Sequence, residues 1–166
     1  GDELIEATAV VLATGSYPWV PPPYRGIGDA MLTNEGIFEL KQLPESLLVV
    51  GAGPIGLELG QAMHRLGVRV TIVDIEDRIG GVADPVVAAA AREIFAAELD
   101  IHLHHQLERV ERVAGGVRVA FVADDGTRRS EEYQYVLVAT GRRPNLDGLA
   151  LDKAGLQPLP KRDPAT

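Results

Sequence analysis

The 166-residue chain contains no cysteine. Disulfides, thiolate metal sites and thiol nucleophiles are therefore excluded within it. Aromatic residues are scarce, at 5%. Tyr17 and Trp19, beside a proline passage, read as packing rather than as a base-stacking platform. Positive charge is in deficit: 16 Lys and Arg against 24 Asp and Glu leave a formal charge of −8. No nucleic-acid partner is expected, because neutralising phosphates needs Lys and Arg. No apolar run reaches the roughly 18 residues that a membrane span needs, so no membrane partner is expected either. The start, Gly1-Asp2-Glu3-Leu4-Ile5-Glu6, is acidic and lacks a signal-peptide layout, which predicts a cytoplasmic chain. It also lacks an initiator Met and reads as a piece of a longer chain. What remains is ordinary for a globular protein, with 46% hydrophobic and 24% charged residues. A chain of this length is expected to form one domain with small attachments and a substantial core.

Along the chain, Ala9 to Gly15 is an apolar, β-branched run stopped by glycine and predicts a buried strand. Residues 17–46 hold Pro18, Pro21-Pro22-Pro23, Gly26 and Gly28, and read as a stiff connector. Leu47 to Val50 predicts a strand, Pro54 to about Leu66 a helix stopped by Gly67, and Val68 to Val73 the next strand. Asp84-Pro85 reads as cap and first residue of a second helix. Its expected buried stripe is Val87, Ala90, Ala91 and Ile94. Ile101 and Leu103 alternate with His102 and His104, which predicts a short strand with a solvated histidine face. No metal site is expected, since no carboxylate or cysteine set completes one. From Arg109 to Tyr135, alternating valines with turn signals at Gly115-Gly116 and Asp124-Asp125-Gly126 predict an antiparallel meander. Tyr135 to Gly141 predicts another buried strand, and Pro158 to Thr166 a frayed tail. The segment Val10 to Gly15 is echoed by Val136 to Gly141, and both end in Ala-Thr-Gly. The expected fold class is α/β: a Rossmann-like parallel sheet with helices on both faces and an inserted three-stranded antiparallel β-meander.

The run Gly51-Ala52-Gly53-Pro54-Ile55-Gly56 lies between a predicted strand and a predicted helix, with Asp74 at the end of the following strand. In that context the glycine spacing points to a dinucleotide. Gly51 serves the tight turn, Gly53 leaves room for a pyrophosphate, and Gly56 lets helix and sheet pack closely. The helix N-terminus offers unpaired N–H groups to the pyrophosphate. The Asp74 carboxylate would accept hydrogen bonds from the adenosine ribose and oppose a 2′-phosphate, which favours NAD over NADP. Arg78 is the one nearby group that could take such a phosphate, and it reads first as a surface partner of Glu76 or Asp77. Glu58, on the flank of the helix stripe, is expected to be partly shielded. It is either a helix N-terminal carboxylate favoured by the dipole or an acid near the nicotinamide or a partner lysine.

Three blocks then resemble one family. They are Ala13-Thr14-Gly15-Ser16, the run from Leu43 to Glu58, and Ala139-Thr140-Gly141-Arg142-Arg143-Pro144-Asn145. They occur in the order seen in the pyridine nucleotide–disulfide oxidoreductases and are most similar to the dihydrolipoamide dehydrogenase branch. The resemblance implies a split FAD domain, an inserted NAD domain and a C-terminal dimerisation domain in a homodimeric parent. The chain would comprise a residual FAD-domain strand (1–16), the connector (17–46), the NAD domain (47–150) and a tail (151–166). Thr14, Gly15 and Ser16 would contact FAD. Gly51, Ala52, Gly53, Pro54, Ile55, Gly56, Glu58 and Asp74 would line the NAD site, with Gly141 near the nicotinamide half. No catalytic residue is expected here, because the family's redox cysteine pair lies outside this stretch. Pro54 stands where relatives often carry an aromatic or aliphatic residue, Asp74 where many carry Glu, and Asp100 where Gly is usual and a left-handed residue is expected. Two alternatives accompany this reading: a parent that reduces another disulfide, mercuric ion or peroxide, and a non-catalytic nucleotide-binding module. The strand at residues 8–13 would dock on the NAD domain, swap with a second copy or fray.

Overall fold

The computed structural model describes residues 4–157. The expected frayed tail, Pro158 to Thr166, lies outside them. The strands are β1 (Ser16–Pro18), β2 (Met31–Leu32), β3 (Ser46–Val50), β4 (Arg69–Val73), β5 (Asp100–His102), β6 (His105–Val113), β7 (Gly116–Ala123), β8 (Arg128–Tyr133), β9 (Tyr135–Val138) and β10 (Arg142–Pro144). Helix α1 covers Pro54–Arg65 and α2 covers Pro85–Ala96. Two compact units arise. One runs from Pro18 to Gly141, and the other joins the residues up to Tyr17 with those from Arg142 onward.

The larger unit holds a parallel sheet in the order β2-β9-β3-β4-β5 and the antiparallel sheet β6-β7-β8. The expected α/β class and meander are therefore present. Successive strand residues point to opposite faces, and the two cores follow that alternation. Leu47, Val49, Ile72 and Leu137 meet Leu57 and Met63 of α1 and the partly buried Ala91 and Phe95 of α2. Leu48, Val50, Val73, Val136 and Val138 meet Val117, Val119, Phe121 and Tyr133 of the meander. Both α-helices thus cover one face, and the helical cover of the other is a 3-10 segment, Pro22–Ala30. The meander keeps its inward face across an irregularity. Its register shifts between Leu107 and Arg109, so Leu107 and Val110, three positions apart, both pack on the second core. A bulge is what lets an odd spacing share one strand face.

Several expectations are corrected. The passage 17–46 is not a bare connector. A 3-10 helix repeats every three residues, and Tyr24 and Ile27 are buried at that spacing; the helix breaks at Gly28 (φ +60°, ψ −131°), beyond which Ala30 is buried as well. Met31 and Leu32 then add an edge strand beside β9. Proline there fixes φ at the start of the tight helix. Residues 9–15 form no strand, and Val10 and Val11 are 78% and 86% exposed. A strand needs a ladder partner and a face to bury against, and among the described residues no backbone hydrogen bond pairs residues 9–13 and Val10 and Val11 bury against nothing, while Thr14 and Gly15 bond only to Asn145. On α2, Asp84 caps as expected, accepting from the Val86 and Val87 N–H groups. The packed face, however, is Ala88, Ala91 and Phe95, while Val87 and Ile94 are 54% and 66% exposed. The helix is apolar nearly all round, so its own periodicity does not choose a face.

In the smaller unit β1 pairs with β10. Each begins one residue after an Ala-Thr-Gly, so the sequence echo extends to Ala-Thr-Gly-x-x-Pro and its two copies lead into partner strands.

Candidate functional site

Strands β3, β4 and β9 are parallel, so Gly51, Asp74 and Ala139 all follow C-terminal strand ends on one edge of the sheet. From β3 the chain crosses to β4 on one side, while β9 lies on the other. Open α/β sheets bind ligands at such a switch in strand order.

The glycine loop is built by close approach. Gly51 has φ +109°, and its N–H donates to the Val73 carbonyl at 2.8 Å. A Cβ there would stand 2.5 Å from the Ala139 carbonyl oxygen. Ala52 is fully buried, and its carbonyl accepts from the Gly80 N–H at 2.7 Å. A Cβ on Gly56 would stand 1.9 Å from the Gly51 carbonyl oxygen, so α1 crosses directly over the loop. Gly53 differs from both. Its φ is −71°, and a Cβ on it would meet no heavy atom within 4 Å. It is the N-cap of α1, no side chain caps that helix, and its first turn carries no acid. Pro54 and Ile55 open the helix, Pro54 exposed and Ile55 half-buried. The N-terminus of α1 thus has no side-chain cap, and the space beside Gly53 is open; uncapped first-turn N–H groups suit an anionic phosphate group.

Asp74 is half-buried and has two backbone partners. Its Oδ2 accepts from the Ala52 N–H at 2.7 Å and its Oδ1 from the Glu76 N–H at 2.9 Å. Its own N–H donates to the His102 carbonyl, and its carbonyl accepts from the His105 N–H. The residue thus anchors the glycine loop as well as facing the same sheet edge. Two bonds leave lone pairs on a carboxylate that has about four acceptor sites, so ribose hydroxyls fit there too. Sequence reasoning did not reveal the anchor to Ala52 or the Gly80 contact. The consecutive glycines Gly80 and Gly81, both at positive φ, were the available signal. Nor did it reveal Gly60, where a Cβ would stand 2.9 Å from the Ile72 side chain.

Glu58 is exposed rather than partly shielded, and it has no hydrogen bond or ion pair among the described residues. It lies one turn beyond Pro54 on the side of α1 away from the buried Gly56, Leu57 and Gly60. Gly141 has φ +122°, and its carbonyl accepts from the Trp19 N–H at 2.9 Å. The Thr140 hydroxyl donates to the Trp19 carbonyl at 3.0 Å. In the smaller unit the Thr14 hydroxyl donates to the Asn145 carbonyl at 2.6 Å, and the Gly15 carbonyl accepts from the Asn145 N–H at 2.9 Å. Ser16 accepts twice from Arg142, at Oγ and at its carbonyl.

The histidines do not share one strand face, because β5 ends at His102 and His104 turns away at φ +55°. His102 lies 2.9 Å from Asp100, while His104 lies 3.0 Å from Asp77 and 3.1 Å from Asp124. The Arg92 guanidinium, hydrogen-bonded to Asp77, holds that carboxyl below its usual range, with a smaller effect from His104. Asp100 sits in an extended strand and accepts from the Thr71 hydroxyl at 3.0 Å. The left-handed conformation expected for it is therefore absent, because parallel pairing with β4 keeps it extended.

Residues 1–162 match the family described as pyridine nucleotide-disulphide oxidoreductase. A mercuric reductase of Streptomyces lividans is 35% identical over 95% of this chain and 33% of its own length. A dihydrolipoyl dehydrogenase of Bacillus subtilis (strain 168) is 34% identical over 99% of this chain and 35% of its own. The crystal structure of LpdA from Mycobacterium tuberculosis superposes with a TM-score of 0.73 at 33% identity, over 87% of this chain and 31% of that one. The HOCl-induced flavoprotein disulfide reductase RclA from Escherichia coli gives 0.71 at 27% identity, over 87% and 32%. The chain spans about a third of the length of these relatives. The match over nearly its whole length places the chain in the pyridine nucleotide–disulfide oxidoreductase family, whose members use FAD together with NAD or NADP.

Proposed function

We propose that this chain is the NAD(H)-binding part of a dihydrolipoamide-dehydrogenase-like flavoprotein, and that it positions nicotinamide for hydride transfer to or from FAD. The observation that carries this reading is the uncapped N-terminus of α1, open onto the empty space beside Gly53 and next to the Asp74 anchor. First-turn N–H groups of α1 donate to the pyrophosphate, assisted by the helix dipole. Gly51 and Gly56 hold the loop down so that those groups stay at the surface. Asp74 accepts from the ribose hydroxyls and, by like charge, opposes a 2′-phosphate. Gly141, without a side chain, leaves room for the nicotinamide half, and the Trp19 N–H fixes its carbonyl. When bound, NAD supplies the hydride acceptor or donor of the reaction. The chain has no cysteine to pass electrons onward and catalyses nothing alone. FAD, contacted through Thr14, Gly15 and Ser16, and a dimerisation domain belong to the rest of a homodimeric parent.

A second reading is the NAD(P)H-binding part of a reductase of mercuric ion or another disulfide, since the chain is as similar to a mercuric reductase, at 35% identity, as to the dihydrolipoyl dehydrogenases. Calorimetric titration of the chain with NADH and with NADPH tests both. Tighter NADH binding is the expected result. A preference for NADPH would move the assignment to the reductase reading, and binding of neither at millimolar concentration would overturn the site.

A further inference from the structure

Resting on that dinucleotide site, we infer that Glu76 determines its cofactor specificity by withholding Arg78 from a 2′-phosphate. The stretch from Val70 to Ala91 contains one cation, Arg78. It lies four residues after Asp74, on the loop whose Glu76 N–H binds the Asp74 carboxylate. Its guanidinium gives two hydrogen bonds to Oε2 of Glu76, from Nε at 3.0 Å and from Nη2 at 2.8 Å. The next cation along the chain, Arg92, is bonded to the side chain and the carbonyl of Asp77. Of the three carboxylates that follow β4, two therefore hold an arginine each. The third, Asp74, meets only backbone N–H groups.

This geometry separates two barriers to a 2′-phosphate. Asp74 repels it directly, and that barrier is legible from the strand-end acid. The second barrier is the missing counter-charge. A guanidinium is the side chain best shaped for a phosphate, and one stands on the loop with its fork turned to a neighbour. Both partners of the Arg78–Glu76 pair are more than half exposed, at 68% and 55%. Exposed pairs are weak and salt-sensitive, so this engagement is reversible and depends on the Glu76 charge. A substitution that keeps the shape and removes the charge releases the guanidinium. It leaves the Glu76 backbone N–H, and with it the Asp74 anchor, in place.

The test is a set of fluorescence or calorimetric titrations with NADH and NADPH on the wild-type chain, on Glu76→Gln and on the double variant Glu76→Gln/Arg78→Gln. The readout is the NADPH affinity divided by the NADH affinity. In Glu76→Gln this ratio should rise about two- to fivefold, the scale of one exposed ion pair, and the rise should shrink as salt is added. In the double variant the ratio should return to within about twofold of wild type, because no guanidinium remains to be released. An equal rise in both variants would show that removal of a negative charge alone is responsible and would overturn the role given to Arg78. No rise in Glu76→Gln, in a chain that binds NADH, would overturn the role given to Glu76. Failure of the wild-type chain to bind either nucleotide would overturn the site itself. Glu76 is at the surface, so thermal melts of all three proteins should coincide within a few degrees.

Discussion

Replacing Gly53 and Gly56 by alanine should have opposite effects on folding and binding, although the glycines are only three positions apart, one the N-cap of α1 and the other in its first turn. At Gly56 the added Cβ would lie 1.9 Å from the Gly51 carbonyl oxygen and 3.3 Å from a methyl of Val49. The nearest obstacle is backbone, and Gly51 is itself wedged against Ala139. Relief therefore requires α1 to lift from the sheet. Overpacking of this kind costs roughly 1–3 kcal/mol. Alanine recovers up to about 1 kcal/mol through its better helix propensity. A contact this short points to the upper end of the cost, so a net loss near 2 kcal/mol is expected. At about 2–4 °C per kcal/mol, the melting temperature should fall by roughly 4–8 °C. At Gly53 the new methyl meets nothing, and φ −71° suits any residue. The unfolded chain loses entropy, worth about 0.4–1 kcal/mol in favour of folding. Alanine is a poorer N-cap than glycine by a similar amount. Stability should therefore stay within about 1 kcal/mol, while nucleotide binding falls sharply because the methyl occupies the approach to the α1 amides. Circular-dichroism melts and NADH titration of both variants decide the matter. A Gly56→Ala protein as stable as wild type would refute the packing argument. A Gly53→Ala protein with unchanged NADH affinity would remove Gly53 from the ligand path.

Two further outcomes follow from the packing. Arg65, then Gln61, hydrogen-bond the Glu98 carboxylate and pull its pKa from the ordinary 4.5 down to about 2. A depressed carboxylate stabilises the fold above its unfolded pKa, and that contribution fades as pH falls through the folded one. The urea midpoint should thus decline between about pH 4.5 and pH 2, with a shallower decline in Glu98→Gln, and identical slopes would contradict this tie between α1 and the turn after α2. On α2, Ile94→Ser should change the unfolding free energy by no more than about 0.5 kcal/mol. Phe95→Ala, on the packed face, should cost about 2–4 kcal/mol, and the reverse order would restore the stripe read from periodicity.

The sequence by itself determined whatever rests on neighbours along the chain. The strand–glycine–helix run at 47–66, the Asp84 cap and the meander turns all involve groups within a few residues of one another, and their positions in the chain specify their geometry. Only the tertiary structure decided what depends on distant partners. The face of α2 is one case: alanine, valine and isoleucine surround the helix, and the sheet beneath selects Ala91 and Phe95. The passage 17–46 is another, since its prolines indicate stiffness but Val136 and Leu137, more than a hundred residues away, supply the partners for Met31 and Leu32. Val10 to Gly15 and Val136 to Gly141 make the point most directly. Both runs read alike, yet β9 lies between β2 and β3, whereas the earlier run forms no strand and only its end, Gly15, meets a backbone partner, Asn145. Asp74 combines both levels, for its place at a strand end is local, whereas its bond to Ala52 exists because β3 and β4 run in register and bring two chain ends within hydrogen-bonding distance.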